Sequence, residues 1–243
     1  MALPDHLPSY EFKRKLAPSR DIGKFYHLHM VKTPDGIPCL APEGTPAFTP
    51  IDTESFFDKS GPMEVEIGCG KGGFMVEYCE KHPDKPFLGI DQEASIAYLA
   101  AKRMAKREHL THARVVYGDV FYFFRDFLPG NSVAAFHMYF PDPWPKKRHR
   151  KRRTLNLKFL EQIYRISINQ ALFYWATDDK NYHEESRELF NSRPWVQVFR
   201  EQAEPTEGIR TNFEKKYRAR GKEIYRAVLK VVKTTSPALL ICF

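Results

Sequence analysis

Residues 63–82 constrain the fold more than any other stretch. Met63-Glu64-Val65-Glu66-Ile67 is a short strand, and it runs straight into the glycine loop Gly68-Cys69-Gly70-Lys71-Gly72-Gly73. Phe74 to Cys79 then opens a helix that stops near His82-Pro83. A strand that passes through small residues directly into a helix is the start of a βα unit, and the pattern repeats. Phe87 to Asp91 reads as a second strand. Glu93 to Arg107 is an amphipathic helix with Ile96, Leu99, Ala100 and Met104 on one face. Ala113 to Tyr117, Ser132 to Phe140 and Ala171 to Thr177 continue the strands, with helices expected over Val120 to Phe127, Leu155 to Asn169 and Tyr182 to Asn191. In the Leu155–Asn169 helix, Leu157, Leu160, Ile163 and Tyr164 recur at helical spacing. Val196 to Phe199 and Tyr225 to Val232 read as late strands. Such alternation implies an α/β domain with a mostly parallel central sheet and helices on both faces. That domain is assigned to residues 51–243. Residues 1–50 carry eight of the 18 prolines with little periodicity and read as an irregular, Pro-rich N-terminal arm.

Several classes fall away. Apolar runs such as Ala134-Ala135-Phe136 and Ala238 to Phe243 are far below the roughly 20 residues that cross a bilayer, so no membrane role is expected. Met1 to Tyr10 lacks the apolar core of a secretory signal, which points to the cytoplasm. Cys39, Cys69, Cys79 and Cys242 form no CxxC pair, and reduced thiols are expected. His27, His29, His137 and His149 show no metal-ligand spacing, so no metal is assigned. The net charge of +8 is informative only when localised. Residues 146–153 hold seven Lys or Arg and no acid; residues 208–233 hold nine against two, and the remainder of the chain is net −6. Two basic segments on a mildly acidic body point to a polyanion, nucleic acid before a membrane surface.

In the glycine loop, Gly68, Gly70 and Gly73 satisfy GxGxxG, and Asp91 follows 23 residues after Gly68. An NAD site and a loop that merely packs strand on helix are both open readings. Glu66, just before the loop, favours neither diphosphate nor bare packing. Its carboxylate would repel a pyrophosphate but suits the cationic amino-acid end of S-adenosylmethionine. Asp119, after the third strand, is placed to accept from an adenine amino group, or to cap the following helix. Glu66, Asp91 and Asp119 thus stand at the C-terminal ends of three consecutive strands, the edge where open α/β sheets bind ligands.

The fourth strand ends in Phe140-Pro141-Asp142-Pro143-Trp144-Pro145. Three prolines in five positions stiffen the backbone around one carboxylate and one indole, which suits a pocket for a flat, extruded base. Asp142 is the candidate catalytic residue, and Trp144 is placed to stack on the base or wall the pocket. The basic run follows at once. A solvated face or a localisation signal is its ordinary meaning, but next to a ligand-edge turn Arg148, Arg150, Lys151, Arg152 and Arg153 read as RNA-phosphate contacts. In the second basic segment an amphipathic helix would set Phe213 and Tyr217 on the domain and turn its cations to RNA.

Glu66-Ile67-Gly68-x-Gly70, Gly89-Ile90-Asp91, Phe140-Pro141-Asp142-Pro143-Trp144-x-Lys146-x-Arg148-His149-x-Lys151-Arg152-Arg153, Thr177-Asp178 and Thr211-x-Phe213-Glu214 together resemble the tRNA (guanine-N7)-methyltransferase family. The resemblance covers about residues 60–232. It implies a Rossmann-like, S-adenosylmethionine-dependent methyltransferase fold and transfer of a methyl group to a variable-loop guanine of tRNA. By this resemblance Glu66, Gly68, Gly70, Asp91, Asp119 and Asp142 line the donor site. Lys146, Asp178, Thr211, Asn212, Phe213 and Glu214 contact the substrate. Asp91 stands where many members carry glutamate, which shortens its reach to the ribose. The expected partner is tRNA, with the protein a monomer or homodimer. The competing readings are another S-adenosylmethionine-dependent RNA base methyltransferase and a non-catalytic RNA-binding protein on the same fold.

Overall fold

The computed structural model describes residues 26–28 and 51–233. Eight strands are present: β1 Tyr26–Leu28, β2 Met63–Ile67, β3 Phe87–Asp91, β4 Ala113–Tyr117, β5 Val133–Tyr139, β6 Ser167–Thr177, β7 Val196–Glu201 and β8 Tyr225–Val231. They form one sheet in the order β1-β4-β3-β2-β5-β6-β8-β7. The pairings from β1 through β6 are parallel, and β8 runs antiparallel to both β6 and β7. Helices α1 Thr53–Phe57, α2 Gly73–Lys81, α3 Ala94–Ala105, α4 Val120–Phe127, α5 Leu157–Ile166, α6 Lys180–Asn191 and α7 Asn212–Arg218 complete the domain. Two apolar cores cover the two faces. Phe123, Phe124, Phe159, Leu160, Ile163 and Phe190 bring α4, α5 and α6 to one; Phe74, Met75, Ala97, Ala100 and Met104 bring α2 and α3 to the other. Among the described residues no helix is long and apolar enough to cross a membrane.

Central strand β2 is buried along its whole length. Its period-2 pattern sends Met63, Val65 and Ile67 to one face and Glu64 and Glu66 to the other. Both faces are covered, so two carboxylates lie inside the protein, 5% and 4% exposed. Their contrasting surroundings dominate the chemistry below.

The structure corrects the expected elements in four places. Tyr26–Leu28, within the stretch read as an irregular arm, forms a strand that pairs with edge strand β4. The rest of residues 1–50, and the tail after Lys233, lie outside the described residues. Helix α1 was not anticipated; Asp52 caps it by accepting from the Ser55 amide. The helix expected over Leu155–Asn169 is shorter, because Asn156 caps it at Phe159 and the chain turns into β6 at Ser167, four residues before the expected strand. Leu99 and Leu157 face solvent, at 38% and 44% exposure. In α3 the buried face is instead small. Ala97, Ala100 and Ala101 let the helix approach α2 so closely that a methyl group on Gly72 would sit 3.1 Å from Ala100 Cβ.

Candidate active site

The strand-to-helix loop is built as the glycine spacing requires. Gly68 and Gly70 have φ of 74° and 54°, conformations that side chains rarely adopt. The amides of Gly68 and Cys69 both donate to the Ile90 carbonyl, at 2.8 and 3.0 Å, so the loop is stitched to the end of β3. Asp91 completes the stitching. Its Oδ2 accepts from the Gly70 amide at 2.9 Å and its Oδ1 from the Glu93 amide at 3.0 Å. Burial pushes the Asp91 carboxyl above its ordinary range. The two amides oppose this, while the nearby charges of Glu93 and Asp142 add to it.

Glu66 is the outlier of the site. Its Oε2 is buried and has no hydrogen-bond partner among the described residues. Burial, then the Asp91 charge, pushes its carboxyl well above the usual range, against a single opposing backbone bond at Met75. An orphaned buried acid at the C-terminal edge of the sheet, beside a glycine loop, fits a ligand that brings its own cation. It does not fit a diphosphate. Asp119 sits as expected after β4, but it spends Oδ1 on capping α4, accepting from the Phe121 and Tyr122 amides at 2.8 and 3.4 Å. The helix-cap reading of Asp119 is the one observed; the residue is exposed and its second oxygen is not used by that cap.

The turn after β5 is strained. Phe140 and Trp144 both have positive φ, 53° and 43°. The Phe140 amide donates to the Ala176 carbonyl at 2.7 Å, anchoring the turn on β6. Asp142 is exposed at its tip. Residues Lys147–Arg152 form a 3-10 helix that carries the basic run away from the turn. This placement divides the cations. Lys146, Arg148, Lys151 and Arg152 are exposed. Arg152 also lays its guanidinium 5.0 Å from the Trp144 ring centre. Arg153, expected at RNA phosphates, is only 5% exposed. It donates to the Pro143 carbonyl at 2.7 Å, packs over the Tyr182 ring at 4.3 Å and pairs with Glu185. Arg150 pairs with the same carboxylate. Arg153 is thus a brace for the turn and not a phosphate contact, because it is buried and turned inward to Pro143, Tyr182 and Glu185.

Helix α7 is brought over the glycine loop. A methyl group on Gly73 would lie 3.3 Å from Asn212 Nδ2, so the Asn212 amide sits at the N-terminus of α2. Thr211 caps α7, its hydroxyl accepting from the Glu214 amide at 3.1 Å. The expectation that Phe213 packs on the domain is reversed. Phe213 is 51% exposed, and Glu214 is the buried residue, at 1%. Glu214 pairs with Arg226, with Arg218 at 2.8 Å and with Arg210 at 3.8 Å, so three cations of the second basic segment converge on one buried acid. Tyr217 reaches the turn, its ring 5.6 Å from that of Phe140. Asp178, at the end of β6, is held by Lys222, whose ammonium also lies 4.5 Å from the Tyr217 ring centre. Glu185 and Lys222 were not singled out in the sequence, and no spacing signal marks them. Each acts on a partner 30 or more residues away, and only the fold makes the pair.

The glycine loop, the Asp142 turn and α7 thus occupy one edge of the sheet. Known proteins give this arrangement a family. A family model described as "Putative methyltransferase" matches residues 60–227. A tRNA (guanine-N(7)-)-methyltransferase of Thermotoga maritima is 33% identical over 196 residues, 80% of this chain and 61% of that protein. One of Vibrio vulnificus is 34% identical over 169 residues, 68% of this chain and 70% of that protein. The chain thus spans about three-fifths of the length of the first of these relatives. The antibiotic-resistance methyltransferase Kmr superposes with a TM-score of 0.51 at 14% identity, over 76% of this chain and 93% of its own, which shows the shared fold. With the family model spanning more than half of its residues, and the glycine loop, the Asp142 turn and the α7 segment all on one sheet edge, the chain belongs to the tRNA (guanine-N7)-methyltransferase family.

Proposed function

We propose that this protein transfers the methyl group of S-adenosylmethionine to N7 of a guanine in the variable loop of tRNA. The observation that carries the reading is the unpartnered, buried Glu66 oxygen beside the glycine loop. It asks for a cation, and the donor has an ammonium at its amino-acid end. When bound, the donor supplies a sulfonium methyl for in-line displacement: the bond to guanine N7 forms as the bond to sulfur breaks, and the positive charge moves onto the base. Glu66 neutralises the ammonium. Asp91 orients the ribose, and Asp119 accepts from the adenine amino group with the oxygen its cap leaves. Guanine N7 carries an in-plane lone pair at neutral pH, so no residue has to remove a proton. Asp142 faces the incipient positive charge on the base, and the strained Pro-rich turn holds it there without reorganisation. Asp178 and the Thr211–Glu214 segment hold the substrate, and Lys146, Arg148, Lys151 and Arg152 take the phosphates. Labelled S-adenosylmethionine and bulk tRNA, followed by mapping of the modified nucleoside, test the reading. Label in 7-methylguanosine supports it, and label in adenine, or in no nucleoside, overturns it.

Two consequences are measurable. Because Glu66 holds its proton to unusually high pH in the donor-free protein, pairing with the ammonium must ionise it. Donor binding is therefore expected to release protons, and affinity to rise with pH above the ordinary carboxylate range until Glu66 is ionised without the donor. Calorimetry in buffers of different ionisation enthalpy reads the proton count directly; binding with no proton release would mean that Glu66 is already charged. For the RNA, replacing Arg148, Lys151 and Arg152 together by alanine is expected to lower tRNA affinity and to flatten the slope of log K against log salt by about 2 to 3. Arg153→Ala, by contrast, is expected to lower thermal stability and leave that slope unchanged. Equilibrium binding at several salt concentrations separates the two.

A further inference from the structure

Four interior polar side chains form an unbroken series that the proposed reaction does not use. Glu64 is on β2, His137 and Tyr139 are on β5, and Thr206 lies between β7 and α7. His137 is wholly buried. Its Nε2 is 2.9 Å from Glu64 Oε2 and its Nδ1 is 3.0 Å from the Tyr139 hydroxyl, which in turn is 2.7 Å from Thr206 Oγ1. The ring is clamped by stacking on Tyr174, with centroids 4.9 Å apart and planes at 3°.

The direction of every bond in the series follows from one end. Glu64 accepts from the Tyr78 hydroxyl and from Lys85 Nζ, each at 2.8 Å. Burial alone would raise its carboxyl, but His137 and Lys85 outweigh this and hold it at about 2. An ionised carboxylate only accepts, so His137 Nε2 carries the proton. Burial lowers the basicity of His137, against the opposing pull of the Glu64 carboxylate; in the neutral ring Nδ1 is an acceptor. With the ring neutral, the Tyr139 hydroxyl donates to Nδ1 and the Thr206 hydroxyl to the Tyr139 oxygen. The far end of the series is therefore selective: it needs a donor from the 205–209 segment.

That segment leads into the site. Thr206 stands six residues before Asn212, whose amide lies at Gly73. Outside this series, Lys81 Nζ donates to the Glu207 carbonyl at 3.2 Å, the Glu207 carboxylate lies 2.8 Å from His82 Nε2, and Ile209 at the segment's end is buried in the core of α2 and α3. We infer that His137 is a positioning residue: through Tyr139 and Thr206 it pins the 205–209 segment, and so sets α7 over the glycine loop. The effect on donor affinity rests on the proposed function; the pinning itself does not.

The test uses Thr206→Val, Tyr139→Phe, the double variant and Thr206→Ser. The readouts are S-adenosylmethionine affinity without tRNA and hydrogen exchange of residues 209–218. Thr206 is half-buried, so its variants keep the core intact. Each of the first two is expected to weaken donor binding about 3- to 10-fold and to speed exchange in 209–218 but not in α3. The double variant is expected to match Tyr139→Phe, because the Tyr139 hydroxyl carries the link to Thr206 and its loss already frees that residue, and Thr206→Ser to restore wild-type values. Unchanged exchange in Thr206→Val, additive effects, or faster exchange spread over the whole sheet would overturn the assignment. Should the wild-type protein fail to bind S-adenosylmethionine, the functional reading falls, while the exchange pattern still decides on the pinning.

Discussion

Glu66→Gln is expected to weaken S-adenosylmethionine binding by about two to three orders of magnitude, while the donor-free protein loses no stability. The two halves have one cause. Glu66 is a buried acid without a partner for Oε2, held in a place where its charge is costly until a cation arrives. Glutamine keeps the shape but brings no charge, so the ammonium would be buried unpaired, and truncating one side of such a pair costs about 2–5 kcal/mol. Without the donor the balance reverses. A carboxyl whose folded-state pKa is raised costs nothing below its ordinary range. As pH rises above that range the unfolded chain ionises first, and stability is lost until the folded-state value is passed. Glu66→Gln removes that loss. Thermal denaturation of the donor-free variant at pH 4 and pH 8 should therefore show a flatter pH dependence than wild type, alongside the calorimetric loss of binding. A variant that binds the donor normally would place the ammonium elsewhere.

Asp142→Ala is expected to lower turnover about 10²- to 10³-fold with little change in stability. The turn does not depend on this carboxylate for its shape. Three prolines, the Phe140 amide on the Ala176 carbonyl and the Arg153 brace on the Pro143 carbonyl hold it. What the proposed reaction loses is a negative charge fixed opposite the base as it becomes cationic. The variant has a second signature. Asp142 contributes to the raised pKa of Asp91, so removing it should bring the Asp91 carboxyl down, visible in an NMR titration. Near-normal turnover in single-turnover assays would remove Asp142 from the reaction.

Much of the fold is legible in the order of residues because its signals are local. β3, β4 and α4 fall where the pattern places them, since period-2 and period-3.6 runs bounded by Gly, Pro or a capping Asp need no tertiary information. The boundary between α5 and β6 is less legible. Ile168 and Asn169 sit equally well in either element, and the pairing of Ser167 with Val133 makes the choice. Leu99, Leu157 and Phe213 fail for a related reason. A helical pattern names several residues for a face, and the neighbouring helix or sheet selects which of them it covers. The candidate site is legible as a set of residue types at one sheet edge. Which of its charges are free to act is not, and Arg153 and Glu214 show why: each is buried against a partner, Glu185 for the one and Arg226 for the other, that the fold brings to it.

The clearest division lies within three residues of β2. The chain itself determines that Glu64 and Glu66 lie on the same face of one strand, just before a loop whose glycines bend it into a helix. Locally the two acids differ only in their distance from that loop, not in what their carboxyls will meet. The tertiary structure separates them, by covering both and supplying partners to only one. Glu64 meets His137, Tyr78 and Lys85 and becomes a fixed anion; Glu66 meets the Asp91 charge and one amide, and is left with an open oxygen and a carboxyl pushed well above the usual range. Position along the strand is a matter of backbone geometry. Whether a buried carboxylate is an internal support or a waiting half of an ion pair depends on what the rest of the fold brings within about 3 Å of it.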